Sequence, residues 1–182
     1  MSVYLREFFV ETEAEELVSF LAGKTWPFHG AATMAEATVR EQIARGRYHS
    51  DEEKKTFWAM DEQEQRVGLV RVFDLGDPTP MFDLRIAESH RGRGIGLQAL
   101  RKLVEFVFTT YEDKLRLEGH TRVDNLAMRK VFHKAGFVKE AVHRQSWPSE
   151  DGAIYDSIGY AILREDWLNN KTTPICWDDF PY

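Results

Sequence analysis

The sequence predicts an α/β (α+β) fold in a single domain, and three observations carry that prediction. An alternating strand pattern runs through a glycine-rich turn into a helical pattern between residues 81 and 108. The same strand-to-helix order recurs between residues 115 and 136. With 182 residues, 43% of them hydrophobic, the chain supports one full core, and no stretch is long or polar enough to divide it.

Taken in order, residues 3–9 read as a first strand. Residues 12–21 follow as a helix, with Thr12 as its cap and Glu13, Glu15 and Glu16 in the first turn, where carboxylates meet the positive end of the helix dipole. The loop Lys24-Thr25-Trp26-Pro27-Phe28-His29-Gly30 leads to a second helix from about residue 33 to 45, and residues 48–54 form a charged surface loop. Strand patterns at 56–60 and 66–75 make a hairpin around Asp61-Glu62-Gln63. Asp77-Pro78-Thr79-Pro80 then turns the chain into a strand at 81–86, with Phe82, Leu84 and Ile86 on one face.

Leu97, Leu100, Leu103, Val104, Val107 and Phe108 recur at helical spacing, so a helix opens at or near Gly94 to Gly96. Leu115 and Leu117 alternate with Arg116 and Glu118 in a short strand. Leu126, Val131 and Phe132 form the apolar face of the next helix, capped by Asn125 or Asp124 and closed by Gly136. Asp151-Gly152 marks a turn between two late strands, and after Trp167 no periodicity remains. The expected division is a domain over residues 1–168 and a C-terminal tail over 169–182.

Chemistry concentrates at His90-Arg91-Gly92-Arg93-Gly94-Ile95-Gly96-Leu97. A glycine turn at a helix N-terminus presents bare N–H groups to an anion, and glycine permits close approach and left-handed dihedrals. The dipole supplies only ~0.3–1 kcal/mol, so charge-assisted N–H bonds at ~1.5–3 kcal/mol each must carry the affinity. Arg91 and Arg93 are placed to pair with outer phosphates. A Walker loop would end Gly-Lys-Ser/Thr, whereas Gly96 is followed by Leu97-Gln98; a dinucleotide loop would space its last glycines three apart, whereas Gly94 and Gly96 are two apart.

The pattern Arg91-x-x-Gly94-x-Gly96 instead resembles the acetyl-CoA pyrophosphate loop of the GNAT superfamily of N-acetyltransferases. The run from Leu115 to Phe137, with Asn125 and Lys134-Ala135-Gly136-Phe137, looks like that family's fifth strand and fourth helix. The resemblance spans roughly residues 3–167. Gly136-Phe137-Val138-Lys139-Glu140 and the segment from Asp151 to Leu163 are most similar to the branch that includes the ribosomal-protein N-terminal acetyltransferases.

That resemblance implies a mixed central sheet of about seven strands flanked by about four helices, splayed between strands four and five. It implies acetyl-CoA as co-substrate, held by the strand at Leu84, Arg85 and Ile86, by the loop at Arg91, Gly92, Arg93, Gly94, Ile95, Gly96 and Leu97, and by Asn125. The Ile86 N–H would face the thioester carbonyl, a placement worth ~2.7–4 kcal/mol in comparable sites. Glu118 is the first candidate for the base that deprotonates the amine, with Glu88 and Asp83 as lesser candidates and His120 as a relay. Phe132 stands where many relatives carry tyrosine, and Met128 where others carry serine. The thiolate's proton must then come from water, Tyr155, Ser157 or Tyr160.

The implied reaction is direct acetyl transfer to a primary amine in a ternary complex, a small molecule ahead of a protein N-terminus. The alternatives are a non-catalytic acetyl-CoA sensor and another nucleotide or phosphate binder. Net charge −6 argues against nucleic-acid binding and favours a cationic substrate. Substrate recognition is expected at the Trp26–Gly30 loop and at turns around Asp51, Pro78 and Trp147, with Trp26, Phe28 and Trp147 as an aromatic wall worth ~0.5–2 kcal/mol per cation contact. The same tryptophans fit a core or a dimer surface, which leaves a homodimer open.

His29, His49, His133 and His143 lack metal-site spacing, so no metal is expected. Cys176 is the lone cysteine, consistent with a reducing compartment, and it lies too far from every motif for covalent catalysis. The absence of an apolar leader or spanning stretch predicts a soluble, cytoplasmic protein with no membrane partner.

Overall fold

Alternation within the strands and periodicity within the helices assemble into one seven-stranded sheet, seen in a computed structural model that describes residues 2–150 and 152–176. The elements are β1 (Val3–Glu7), α1 (Val10–Leu21), α2 (Glu36–Ala44), β2 (Lys54–Asp61), β3 (Arg66–Phe73), β4 (Met81–Ile86), α3 (Ile95–Thr110), β5 (Arg116–Arg122), α4 (Leu126–Lys134), β6 (Val138–Pro148), β7 (Ile154–Leu163) and α5 (Arg164–Leu168). Their order across the sheet is β1-β2-β3-β4-β5-β7-β6. Every neighbouring pair is antiparallel except β4 and β5.

Each face of the sheet carries its own core. Along β2, Phe57 and Ala59 join Leu100, Leu103 and Val107 of α3, while Trp58 and Met60 join Leu17 and Leu21 of α1 on the opposite side. The two-residue period of the strand sorts its side chains between the two helix layers. α3 faces the first layer with Ile95, Ala99, Leu103 and Val107, all buried.

The sheet opens where β4 and β5 meet. Their register pairs Met81 with Glu118 and no further residue among those described. Ala87 donates its N–H to the Val67 carbonyl at 3.0 Å, and Glu118 donates to the Pro80 carbonyl at 3.0 Å. In an antiparallel pair a residue's N–H and C=O share one side, so odd-numbered residues of β4 bond β3 and even-numbered ones face β5. Leu84 and Ile86 therefore turn backbone groups into a gap from which β5 has diverged. Gly119 sits at the closed end, where a Cβ would stand 2.6 Å from the Phe82 ring and 2.9 Å from that of Phe132.

Several boundaries differ from expectation. α1 begins at Val10 with Phe9 as its cap residue, so Thr12 lies inside the helix. Glu13 explains the shift, because its Oε2 accepts the Phe9 N–H at 3.1 Å while Oε1 receives Arg6 at 2.6 Å. Burial pushes the Glu13 carboxyl up, but bonds from Arg6, Phe9 and Arg66 hold it below the usual range. Leu115 and Leu126, read as apolar-face residues, are 62% and 61% exposed, and a fifth helix, α5, follows β7 directly. Asn125 proves to be the α4 cap and Gly136, at φ 89°, its terminator. Gly152 has φ 81° in a turn after Ser149; Asp151 and residues 177–182 lie outside the described residues.

Candidate functional site

The glycine loop joins the open end of β4 to α3, and its conformation dictates its composition. Gly92 and Gly94 have φ 76° and 79°, and a Cβ at either would meet nothing within 4 Å. Dihedral freedom, rather than space, requires glycine at both positions. Gly94 caps α3, so the helix's unpaired N–H groups emerge beside it. Gly96 faces Ile86 and Val131, whose carbons would make ordinary contacts of 3.7 and 3.8 Å with an added Cβ, so space there does not demand glycine.

A cleft of about 590 Å³ runs from this loop into the gap between the strands. Of the residues expected to hold acetyl-CoA, Leu84, Ile86, Arg91, Gly92, Gly94, Gly96, Leu97 and Asn125 line it, and Trp26 and Phe28 line it from the other side. His29 from the expected recognition loop, Met128 and Lys130 join them, and of these Lys130 had no part in the sequence reading. Bare amides at a helix N-terminus, a cationic lysine and unpaired strand edges fit a pyrophosphate and an amide-bearing arm.

Four expected residues are placed elsewhere. Ile95 is buried in the core. Arg93 is exposed and does not line the cleft. Arg85, odd-numbered, spends its backbone on β3, and its buried guanidinium lies 5.5 Å from the Trp26 ring. Glu118 lines neither the cleft nor its inner end; its carboxylate is bound to His120 at 2.5 Å and Arg116 at 3.0 Å, and Arg116 also reaches Glu140 at 2.6 Å. Arg91 lies at the cleft, yet its guanidinium braces the wall, donating to the carbonyls of Ile86 at 3.0 Å and Thr25 at 2.7 Å.

At the apex of the opening a smaller cavity of about 90 Å³ is enclosed by Phe28, His29, Phe82, Asp83, Gly119, His120, Thr121, Phe132 and Trp147, among others. Asn125 holds its rim: Oδ1 accepts the Met128 N–H at 3.1 Å and Nδ2 donates to Thr121 Oγ1 at 2.9 Å. Phe132 and Met128 both face this cavity, whereas Tyr155, Ser157 and Tyr160 do not. Tyr160 is stacked on Phe132 with its hydroxyl taken by Arg129, Ser157 is bonded to Ser146, and Tyr155 lies under Arg122.

The aromatic wall is only partly as expected. Trp26 is 2% exposed, its Nε1 donates to the Leu21 carbonyl, and both Arg85 and Arg91 stand over its ring. Its faces are already occupied by the chain's own cations, which leaves Phe28 and Trp147 at the inner cavity. The turns at Asp51 and Pro78 lie beyond the Met81 end of β4, since Lys54 pairs with Phe73 and Phe73 with Met81. They are at the opposite end of that strand from the loop.

Asp83 is the electrostatic centre of the inner cavity. Its carboxylate meets His29 Nε2 at 3.2 Å and Arg85 Nε at 3.3 Å. Burial pushes its pKa up, but the charge of Arg85, the bond from His29 and the charge of Arg71 carry it far below the usual range. A carboxyl depressed on folding adds stability that is fully present above its unfolded value of about 3.9 and is lost as pH falls further. Asp83→Asn should therefore cost about 1.5–3 kcal/mol at pH 7. In urea titrations the gap from wild type should narrow progressively below about pH 4.

Among the described residues no group of three or more His, Cys, Asp or Glu is gathered as a metal site. No helix among them is long and apolar enough to cross a membrane.

Comparison with known proteins agrees with this geometry. The family model for the acetyltransferase (GNAT) domain matches residues 2–138. The chain is 29% identical to a probable N-acetyltransferase of Bacillus subtilis strain 168, YjcK, over 91% of this chain and 96% of that protein. In fold it is similar to a spermidine N-acetyltransferase from Vibrio cholerae solved with CoA and spermine, with TM-score 0.75 and 18% identity over 92% of this chain and 99% of that one. A GNAT-family acetyltransferase from Bacillus anthracis also has TM-score 0.75, at 15% identity over 91% of this chain and 96% of that one.

A splayed mixed sheet with a glycine loop at the opening is the architecture that the chain shares with these acetyltransferases. The chain belongs to the GNAT acetyltransferases, and it is an acetyl-CoA-dependent N-acetyltransferase.

Proposed function

We propose that this enzyme moves the acetyl group of acetyl-CoA directly to a small primary amine while both substrates are bound. The observation that carries the reading is that the cleft at the glycine loop and the Leu84 and Ile86 edges abuts the apex cavity, the two sharing Phe28, His29, Leu84, Asn125 and Met128 as walls. Loop amides take the pyrophosphate, and Leu84 and Ile86 take the pantetheine arm along the free strand edge. The Ile86 N–H polarises the thioester carbonyl, and Arg91, by bonding the Ile86 carbonyl on the next peptide, braces the end of β4 that carries this donor.

The acceptor enters the apex cavity, whose volume of about 90 Å³ suits an unhindered amine better than a folded N-terminus. Net charge −6 draws in a cation, and the Vibrio cholerae relative in fold is a spermidine N-acetyltransferase solved with spermine. Glu118 acts indirectly, orienting His120 on the cavity wall.

Steady-state thiol release across a panel of small amines and peptides tests the reading. Intersecting initial-rate patterns with small amines are the expected result, and no release from any member would favour a binding module instead. Thermal shift against acetyl-CoA, CoA, ATP and NAD should single out the CoA ligands, since a ligand at 100 times its Kd stabilises by about 2.7 kcal/mol.

A further inference from the structure

We propose that His29 takes the proton from the acceptor amine and returns it to the departing thiolate, with Asp83 as its positioning partner. The proposal rests on the acetyl-transfer reading above. Five residues line both the cleft and the apex cavity, namely Phe28, His29, Leu84, Asn125 and Met128. They mark the junction where a thioester from one side meets an amine from the other. His29 is the titratable one among them.

Its two ring nitrogens are differently placed. Nε2 faces Asp83 Oδ1 at 3.2 Å, whereas Nδ1 is buried without a hydrogen bond among the described residues, so the amine meets it only as the ring or the Trp26–Gly30 loop shifts on substrate binding. A carboxylate accepting from Nε2–H fixes the tautomer that leaves the Nδ1 lone pair free as a proton acceptor. The ring is held by its own backbone bond, His29 N–H to the Trp26 carbonyl at 3.1 Å, and by an edge contact with the Trp26 indole. Asp83 is its direct charged partner; Arg85 on β4 and Arg71 on β3 act on Asp83, His120 on β5 lines the same cavity, Arg91 stands over the Trp26 ring and Arg122 over that of Phe28.

The step balances without a hydroxyl acid. The neutral amine nitrogen bonds the acetyl carbonyl carbon and its proton passes to His29 Nδ1. The carbon–sulfur bond then breaks, its electron pair leaves on sulfur, and the imidazolium returns the proton there to give the amide and the free thiol. One group acting first as base and then as acid accounts for Phe132 and Met128 standing where relatives carry hydroxyls.

The test compares His29→Gln, Asp83→Asn and Glu118→Gln in the full chain, each checked by thermal melting and by acetyl-CoA titration. His29→Gln should lower kcat by about 10²–10⁴-fold with acetyl-CoA affinity retained. It should also abolish the acid limb of the pH–rate profile, and imidazole should restore turnover to His29→Ala. Asp83→Asn should lower kcat with acetyl-CoA affinity retained, because Nε2–H loses the carboxylate that orients the ring. Glu118→Gln should keep that limb. An active wild type whose His29→Gln variant keeps its rate and limb overturns the shuttle alone, and loss of the limb in Glu118→Gln instead puts the base on β5. A wild type that releases no thiol with any amine overturns the acetyl-transfer reading and the shuttle with it.

Discussion

Replacing Gly94 by aspartate should abolish acetyl-CoA binding while leaving the fold in place. Position 94 has φ 79° with open space around its missing Cβ, so the new side chain meets no atom it must displace. Aspartate visits the left-handed region more readily than most residues, which limits the backbone cost to ~1–2 kcal/mol. Its carboxylate, however, stands at the cleft wall where the N–H groups of α3 emerge. Losing two charge-assisted bonds at ~1.5–3 kcal/mol each amounts to ~3–6 kcal/mol, or about 10²–10⁴-fold in Kd. Calorimetry should find no binding at concentrations that saturate wild type, and the thermal shift produced by acetyl-CoA should vanish. Gly94→Ala, which adds strain without charge, should retain measurable binding. Equal affinity in Gly94→Asp would remove the pyrophosphate from this loop.

Arg164→Met should be the most destabilising exchange at the opposite end of α3. The Arg164 guanidinium donates to the carbonyls of Lys114 at 2.6 Å, Phe108 at 2.8 Å and Tyr111, and it lies 5.0 Å from the Phe108 ring. Phe108 and Tyr111 belong to the last turn and cap of α3, where carbonyls lack helical partners and the dipole is negative. Methionine keeps the apolar stem but abandons three carbonyls at once, for an expected loss of about 3–5 kcal/mol. At ~2–4 °C per kcal/mol for a chain of this size, Tm should fall by roughly 6–20 °C. Arg164→Lys should recover only part, because a point ammonium does not span a fork of three acceptors. Since the helix separates this end from the loop by about 24 Å, acetyl-CoA affinity should be unchanged. A fall in stability below about 1 kcal/mol would mean that water replaces the guanidinium.

The cleft was largely legible in the residues because its parts are local. A run of alternating side chains, two glycines with positive φ and a helix start lie within one short segment, so loop and cap declare themselves together. Asn125 was legible for the same reason, as a cap bonding three residues ahead. The residues proposed for acid–base chemistry were not. Glu118 stood on the strand face that was read correctly, yet its neighbours Arg116 and His120, two residues to either side on that face, already satisfy its carboxylate. His29 was legible only as part of the expected recognition loop, because its partner Asp83 is distant in the chain and meets it only when the Trp26–Gly30 loop folds onto β4.

By itself the order of residues determined most of the element sequence and the glycine turn, and its resemblance to a known family gave the expected co-substrate, since turn chemistry and periodicity act over a few neighbours. Only the tertiary structure decided which backbone edges stay free, which arginines are spent as braces and which titratable group stands at the junction of the two cavities. Those outcomes depend on strand register and on contacts between segments far apart in the chain, where a one-residue slip would exchange Leu84 and Ile86 for Asp83 and Arg85.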